Sequence, residues 1–236
     1  TRGDTGANST QFSARDCSIQ RPYQKLIAET PSPGIDDSTR SGLCKAAIQL
    51  AKAVDYSGAG TVEFLVDREG DFYFMEMNTR LQVEHPVTEI VSGIDIVKDQ
   101  ILVAAGEELP YSQRKLDFQG CSIECRINAE NPADGFRTSP GRITEFIPPG
   151  GPGVRMDTHV YAGYEVKPFY DSMVAKLICH GPNRPATLGV LRRALEEFKV
   201  GGIKTTIPFF RDLIEHRGYA SGEFDTHFVD EFLGNA

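Results

Sequence analysis

The sequence predicts an α+β protein, and three observations carry that reading. An amphipathic helical stripe follows the loop Ser32-Pro33-Gly34. A hairpin pattern of two apolar strands follows that helix. Beyond residue 120, several short strand patterns separated by Pro and Gly turns precede two more helical stripes.

Taken in order, Asp4 to Asn8 reads as a turn and Gln11 to Ser18 as a short polar strand. Asp36, Asp37 or Ser38 can cap the first helix. Its Leu43, Ala46, Ala47, Leu50, Ala51 and Val54 recur at helical spacing, and Ser57-Gly58-Ala59-Gly60 ends it. Thr61 to Val66 reads as a strand, Arg68-Glu69-Gly70-Asp71 as a turn, and Phe72 onward as the return. After Pro86, the apolar spacing from Val87 to Leu102 predicts a second helix, interrupted near Gly93 and closed by Gly106. The polar stretch 107–120, with Pro110, reads as a linker between a domain at 1–106 and another at 121–236. Cys121 to Asn128 alternates as a half-buried strand with Glu124 and Arg126 on its polar face. Pro185 lies near the start of a helix that turns Leu188, Leu191, Leu195 and Phe198 inward and stops at Gly201-Gly202. A last helix covers about Pro208 to His216. Pro148 to Gly153 suggests a phosphate loop but lacks the Gly-Lys-Ser/Thr ending, and its prolines remove amide donors; a tight turn fits better.

Bulk properties narrow the classes. The 236 residues are 40% hydrophobic with a formal net charge of −8, and no basic block is present, which argues against a nucleic-acid surface. No apolar run approaches a transmembrane length and no signal-peptide pattern opens the chain, so no membrane partner is expected. Five scattered cysteines fit reduced thiols in a cytoplasmic type of compartment. The start at Thr1-Arg2-Gly3-Asp4 reads as part of something longer.

The chemistry concentrates in Glu76-Met77-Asn78-Thr79-Arg80-Leu81-Gln82-Val83-Glu84-His85-Pro86. Every second residue from Glu76 to Glu84 is polar, directly after the apolar Phe72-Tyr73-Phe74-Met75. Residues two apart on a strand share a face, so Glu76 and Asn78 point together. With Arg68 to Asp71 as the loop, Asp67 faces Phe72 and Glu63 falls opposite Glu76. Like charges across a ladder repel unless a partner is shared. A hard divalent cation with Asn78 as a further oxygen ligand would serve. From spacing alone, that reading stands beside one in which both acids are simply exposed on an edge hairpin.

These residues resemble the metal and bicarbonate signature of the biotin carboxylases, members of the ATP-grasp ligases: Glu63, then Glu76 through Pro86 and on to Val87-Thr88-Glu89. Arg15 to Arg21, Glu124 to Glu130, Ser139-Pro140-Gly141, Tyr161 to Tyr164 and Tyr170 to Met173 extend the resemblance nearly end to end. It implies the C-terminal part of an ATP-grasp domain followed by the biotin carboxylase C-terminal domain, an antiparallel sheet with helices. It implies a ligase that uses ATP and bicarbonate, with magnesium or manganese, to carboxylate biotin on a carrier protein. Glu63, Glu76 and Asn78 would hold the metal. Gln20, Tyr23, Lys25, Glu63 and Glu76 would meet the nucleotide. Arg80, Gln82 and the backbone at Val83 would hold bicarbonate, Glu84 would deprotonate it, and Arg126 would stabilise the enolate-like biotin. The implied partners are a biotin carboxyl carrier protein, a carboxyltransferase and a second copy in a homodimer.

Two departures qualify the resemblance. Arg21-Pro22-Tyr23-Gln24-Lys25 stands where the family usually shows Arg-Arg-His-Gln-Lys, so Tyr23 offers a phenol in place of an imidazole. The family's N-terminal domain, its glycine-rich lid and the Met-Lys-Met attachment motif have no counterpart here. The parent implied is the biotin carboxylase component of acetyl-CoA carboxylase, in fatty acid biosynthesis. Propionyl-CoA, pyruvate and urea carboxylases share the module. A non-catalytic folding or dimerisation fragment and a different ATP-grasp ligase are the competing readings.

Overall fold

The stripe of Leu43, Ala47 and Ala51 forms the buried face of helix α1 (Asp37–Ala53). Asp36 caps it, accepting from the Thr39 amide at 2.7 Å, and that bond holds the Asp36 carboxyl below its ordinary range. This computed structural model describes residues 2–3, 9–22 and 24–234. The chain divides into two units, one of residues 1–16 and 30–119, the other of 17–29 and 120–236. The turn expected at Asp4 to Asn8 lies outside the described residues. The strand expected from Gln11 to Ser18 does not form. Ser13 adopts a left-handed backbone (φ 61°), which breaks an extended run.

In the first unit α1 packs against a hairpin of β1 (Thr61–Val66) and β2 (Phe72–Asn78). Gly42 makes the approach close: a Cβ there would lie 2.9 Å from the Phe72 ring. The register corrects the sequence reading at the turn. Val66, not Asp67, faces Phe72, and the loop is Asp67 to Asp71, closed by the Asp67 amide on the Asp71 carbonyl at 2.9 Å. Met75 is an extra, unpaired residue in β2, a β-bulge that shifts the ladder by one and brings Glu63 opposite Glu76 after all. The expected single helix after Pro86 is two, α2 (His85–Ser92) and α3 (Ile96–Ala104). Gly93 ends the first with φ 69°, and Asp95 caps the second through the Lys98 amide at 2.8 Å.

The second unit is built on a four-stranded sheet. β3 (Cys121–Asn128), β4 (Val154–Thr158) and β5 (Met173–Gly181) lie in the order β4-β5-β3, with Ile27–Thr30 beyond β3. Helix α4 (Arg184–Glu197) covers β5 and β3, and α5 (Ile207–Glu215) packs on α4. Ile123, Ile127, Leu177, Leu191, Leu195 and Phe210 are fully buried in this core. β3 is therefore an interior strand and not the half-buried one that its alternation predicts. Ser122 and Glu124, on the supposedly wet face, are both 0% exposed. The chain continues past α5 into two five-residue helices, Arg217–Ser221 and Phe228–Phe232, each too short to show a helical stripe in sequence. Pro148 to Gly153 is a turn as expected. Gly153 (φ 77°) lies where a Cβ would meet the His180 carbonyl at 2.5 Å.

A buried clamp fixes the start of α4. Arg184 meets Glu29 with Nε–Oε2 at 2.8 Å, donates to the Tyr219 and Ala220 carbonyls at 2.8 Å each, and lies 4.9 Å from the Tyr219 ring centre. All five cysteines are free. Cys121, Cys125 and Cys179 are buried, whereas Cys17 and Cys44 are partly exposed. Among the described residues no helix is long and apolar enough to cross a membrane.

Candidate functional site

The polar alternation that begins in β2 changes character at Asn78, the last residue of that strand. Arg80 to Val83 form a loop, and Glu84 takes the N-cap position of α2. One amide joins the two acids of the hairpin. Asn78 Nδ2 donates to Glu76 Oε1 at 2.7 Å and to Glu63 Oε1 at 3.1 Å, so these oxygens lie within about 6 Å of each other. Asn78 Oδ1 accepts from Arg80 at 3.2 Å, and Arg80 also donates to the Leu81 carbonyl at 3.1 Å. On the other side, Gln82 Nε2 donates to Glu63 Oε1 at 2.6 Å, while Gln82 Oε1 accepts from Arg15 at 2.7 Å. Arg15 reaches further, to Thr61 Oγ1 at 3.0 Å and Thr88 Oγ1 at 3.2 Å.

The result is one continuous chain of polar contacts from Arg15 through Gln82, Glu63 and Asn78 to Glu76 and Arg80. Burial is graded along it. Gln82 and the neighbouring Glu84 are 6% and 1% exposed, whereas Glu76 and Arg80 are exposed. The buried end is held by hydrogen bonds, and the exposed end presents a carboxylate and a guanidinium to solvent. A guanidinium fork matches a planar anion such as bicarbonate. His85 locks the turn, its Nδ1 2.9 Å from the Gln82 carbonyl.

Among the described residues no three His, Cys, Asp or Glu side chains gather as a metal site. The donor set here is of another kind: two carboxylates and a side-chain amide. That set suits a hard divalent cation whose remaining positions are taken by water or phosphate oxygens. The amide nitrogen of Asn78 lies between the carboxylates, where a positive group is favoured. Turning that amide about its last bond would exchange nitrogen for oxygen and make Asn78 a possible ligand.

The remaining predicted residues belong to the second unit. Gln20 and Lys25 are cross-strand partners in a short hairpin, Gln20–Arg21 with Gln24–Lys25. Gln24 Nε2 donates to the buried Glu130 at 3.0 Å, and Arg21 lies over the Phe136 ring at 4.1 Å. Tyr23, between the two strands, lies outside the described residues. Arg126 on β3 pairs in register with Lys176 on β5, which pairs with Asp157 on β4. Burial pushes the Asp157 carboxyl up, but Arg155 and Lys176 more than offset it and hold the group below its ordinary range.

Sequence reading gave no role to Arg15, Thr61 or Thr88, although Arg15 and Thr88 lie in stretches that carry the resemblance. Arg15 falls in the stretch Gln11 to Ser18, read as a short polar strand, and the two threonines read as ordinary hairpin and helix residues.

The chain resembles known proteins along nearly all its length. The carbamoyl-phosphate synthase L chain ATP binding domain matches residues 3–112, and the biotin carboxylase C-terminal domain matches residues 124–231. Biotin carboxylase 1 of Bacillus subtilis is 53% identical over 97% of this chain and 51% of its own length. The biotin carboxylase of a Nostoc species is 50% identical over 97% of this chain and 51% of its own. Among solved structures, the biotin carboxylase domain dimer of Hydrogenobacter thermophilus 2-oxoglutarate carboxylase, in complex with MgADP, ADP and bicarbonate, superposes with a TM-score of 0.95 at 45% identity. The match covers 98% of this chain and 51% of that one. The chain thus spans about half the length of the curated relatives it matches.

Proposed function

The chain belongs to the biotin carboxylase family, and from that premise we propose that it serves the ATP-dependent carboxylation of biotin on a carrier protein, with the rest of the relatives' length supplying the other part of the nucleotide site. The observation that carries this reading is the Glu63–Asn78–Glu76 bridge with Arg80 at its exposed end. Acidic oxygen ligands for a metal and a cation for a small anion stand side by side.

In this reading Glu63 and Glu76, with Asn78, hold magnesium or manganese, which when bound supplies neutralisation of phosphate charge. Gln20 and Lys25, with Tyr23, meet the nucleotide. Arg80, Gln82 and the backbone at Val83 orient bicarbonate, and Glu84 removes its proton. The bicarbonate oxygen attacks the γ-phosphorus of ATP, giving ADP and carboxyphosphate, which breaks down to carbon dioxide and phosphate. Phosphate takes the proton from the biotin ureido nitrogen, which then bonds to carbon dioxide. Arg126 stabilises the enolate-like biotin while it is charged. None of these residues handles an acyl acceptor, so the acceptor is set by a carboxyltransferase partner. We assign the parent to the acetyl-CoA carboxylase type, located in the cytoplasm and working as a homodimer with a biotin carboxyl carrier protein.

The test is transfer of label from ¹⁴C-bicarbonate to biotin by the native full-length protein with MgATP. Label on biotin that depends on ATP supports the reading, and no label refutes it.

A further inference from the structure

The part of the polar chain that no known role explains is its half-buried origin, Arg15. We propose that Arg15 is a positioning residue for the bicarbonate side of the site: it fixes which way the Gln82 amide points, and through Gln82 it holds Glu63. The inference deepens the proposed function and rests on it for its kinetic arm.

The argument is one of donors and acceptors. A guanidinium has five N–H donors and no acceptor, so the group it meets on Gln82 must be the amide oxygen. That contact is short, at 2.7 Å. With Oε1 committed to Arg15, Nε2 is directed to the other side, where it lies 2.6 Å from Glu63 Oε1. The reversed amide would set its N–H groups against the Arg15 donors and its oxygen against the Glu63 carboxylate, unfavourable at both ends. Arg15 therefore sets the polarity of the whole relay. Arg15 is itself held by Thr61 Oγ1 at 3.0 Å and Thr88 Oγ1 at 3.2 Å, with Thr88 1% exposed. The two hydroxyls sit on β1 and α2, the elements that also carry Glu63 and the end of the Arg80 to Glu84 loop. A lysine cannot reproduce this fork, because one ammonium on a flexible stem cannot span three separate acceptors as a planar guanidinium does.

Two measurements test the proposal. In the full-length protein, Arg15→Met and Arg15→Lys should each raise KM for bicarbonate about tenfold or more while KM for ATP changes less than about twofold, the pattern of a lost binding contribution on one substrate. On a Gln82→Ala background, Arg15→Met should add less than about twofold, because its effect passes through Gln82. An equal rise in both KM values, or a full further loss on the Gln82→Ala background, overturns the proposal. The second measurement needs no turnover. In ¹⁵N spectra of the chain, the Gln82 side-chain amide should show two well-separated proton signals, one shifted by its bond to Glu63. Arg15→Lys should collapse that separation, and an unchanged Gln82 signal refutes the positioning role. If the wild-type protein fixes no bicarbonate, the proposed function fails, and the amide signal still decides the role of Arg15.

Discussion

Glu63 and Glu76 face each other across the β1–β2 ladder, and the amide nitrogen of Asn78 donates to both. Two acids in register repel, so this pairing weakens the hairpin unless a positive group lies between them. Glu63→Gln should therefore stabilise the metal-free protein slightly, by about 0.2–1 kcal/mol. Magnesium should raise the melting temperature of the wild type by binding to the native state alone, and the same change should abolish that rise. Thermal melts with and without magnesium check both signs.

The Arg184–Glu29 pair makes the opposite prediction. Its Glu29 side chain is 1% exposed and forms an ion pair with Arg184. Arg184→Met should cost about 3–5 kcal/mol, because it takes the ion-pair partner from a buried carboxylate. Arg192→Met, which breaks an exposed pair with Glu215, should change stability little. Urea unfolding of the two variants provides the comparison.

The buried thiols give a pH dependence. Burial pushes Cys121 up to about 11, Cys179 up to about 12, and Cys125 well above its ordinary value. Above about pH 9 the unfolded chain therefore loses thiol protons that the folded chain keeps. The stability from these groups is fully present below that pH and is lost as pH rises through 11 to 12. Urea midpoints should fall between about pH 8 and 10.5, and Cys179→Ala should flatten the fall. In the native protein at about pH 8, a thiol reagent should modify no more than Cys17 and Cys44.

The sequence made some of this legible and hid the rest for physical reasons. Helix α1 was readable because a stripe and a cap agree with one another, although it ends at Ala53, ahead of the expected glycines, and leaves Val54 exposed at its C-cap. The Glu63–Glu76 pairing was right for an incomplete reason: counting residues through the turn cannot reveal a bulge, and the error at Val66 is cancelled at Met75. β3 misled because alternation signals a wet face only when nothing covers it, and Ser122 and Glu124 are covered. The Gln82–Glu63 contact joins residues 19 apart, and Arg15 joins Gln82 across 67. No local pattern encodes such contacts. The resemblance supplied the candidate site residues, and the structure supplied the hydrogen bonds that join Glu63, Glu76, Asn78, Arg80 and Gln82 among them.

The division of labour between Glu84 and Arg126 tests the account most directly. The measurement sets the biotin carboxylation rate beside ATP affinity in the full-length protein for wild type, Glu84→Gln and Arg126→Ala. In the proposed mechanism Glu84→Gln removes a base, and Arg126→Ala removes a charge-stabilising donor. Each should lower the carboxylation rate by about 10²–10³-fold and leave ATP affinity nearly unchanged. Variants that lose ATP binding in step with rate, or that keep the wild-type rate, would contradict it.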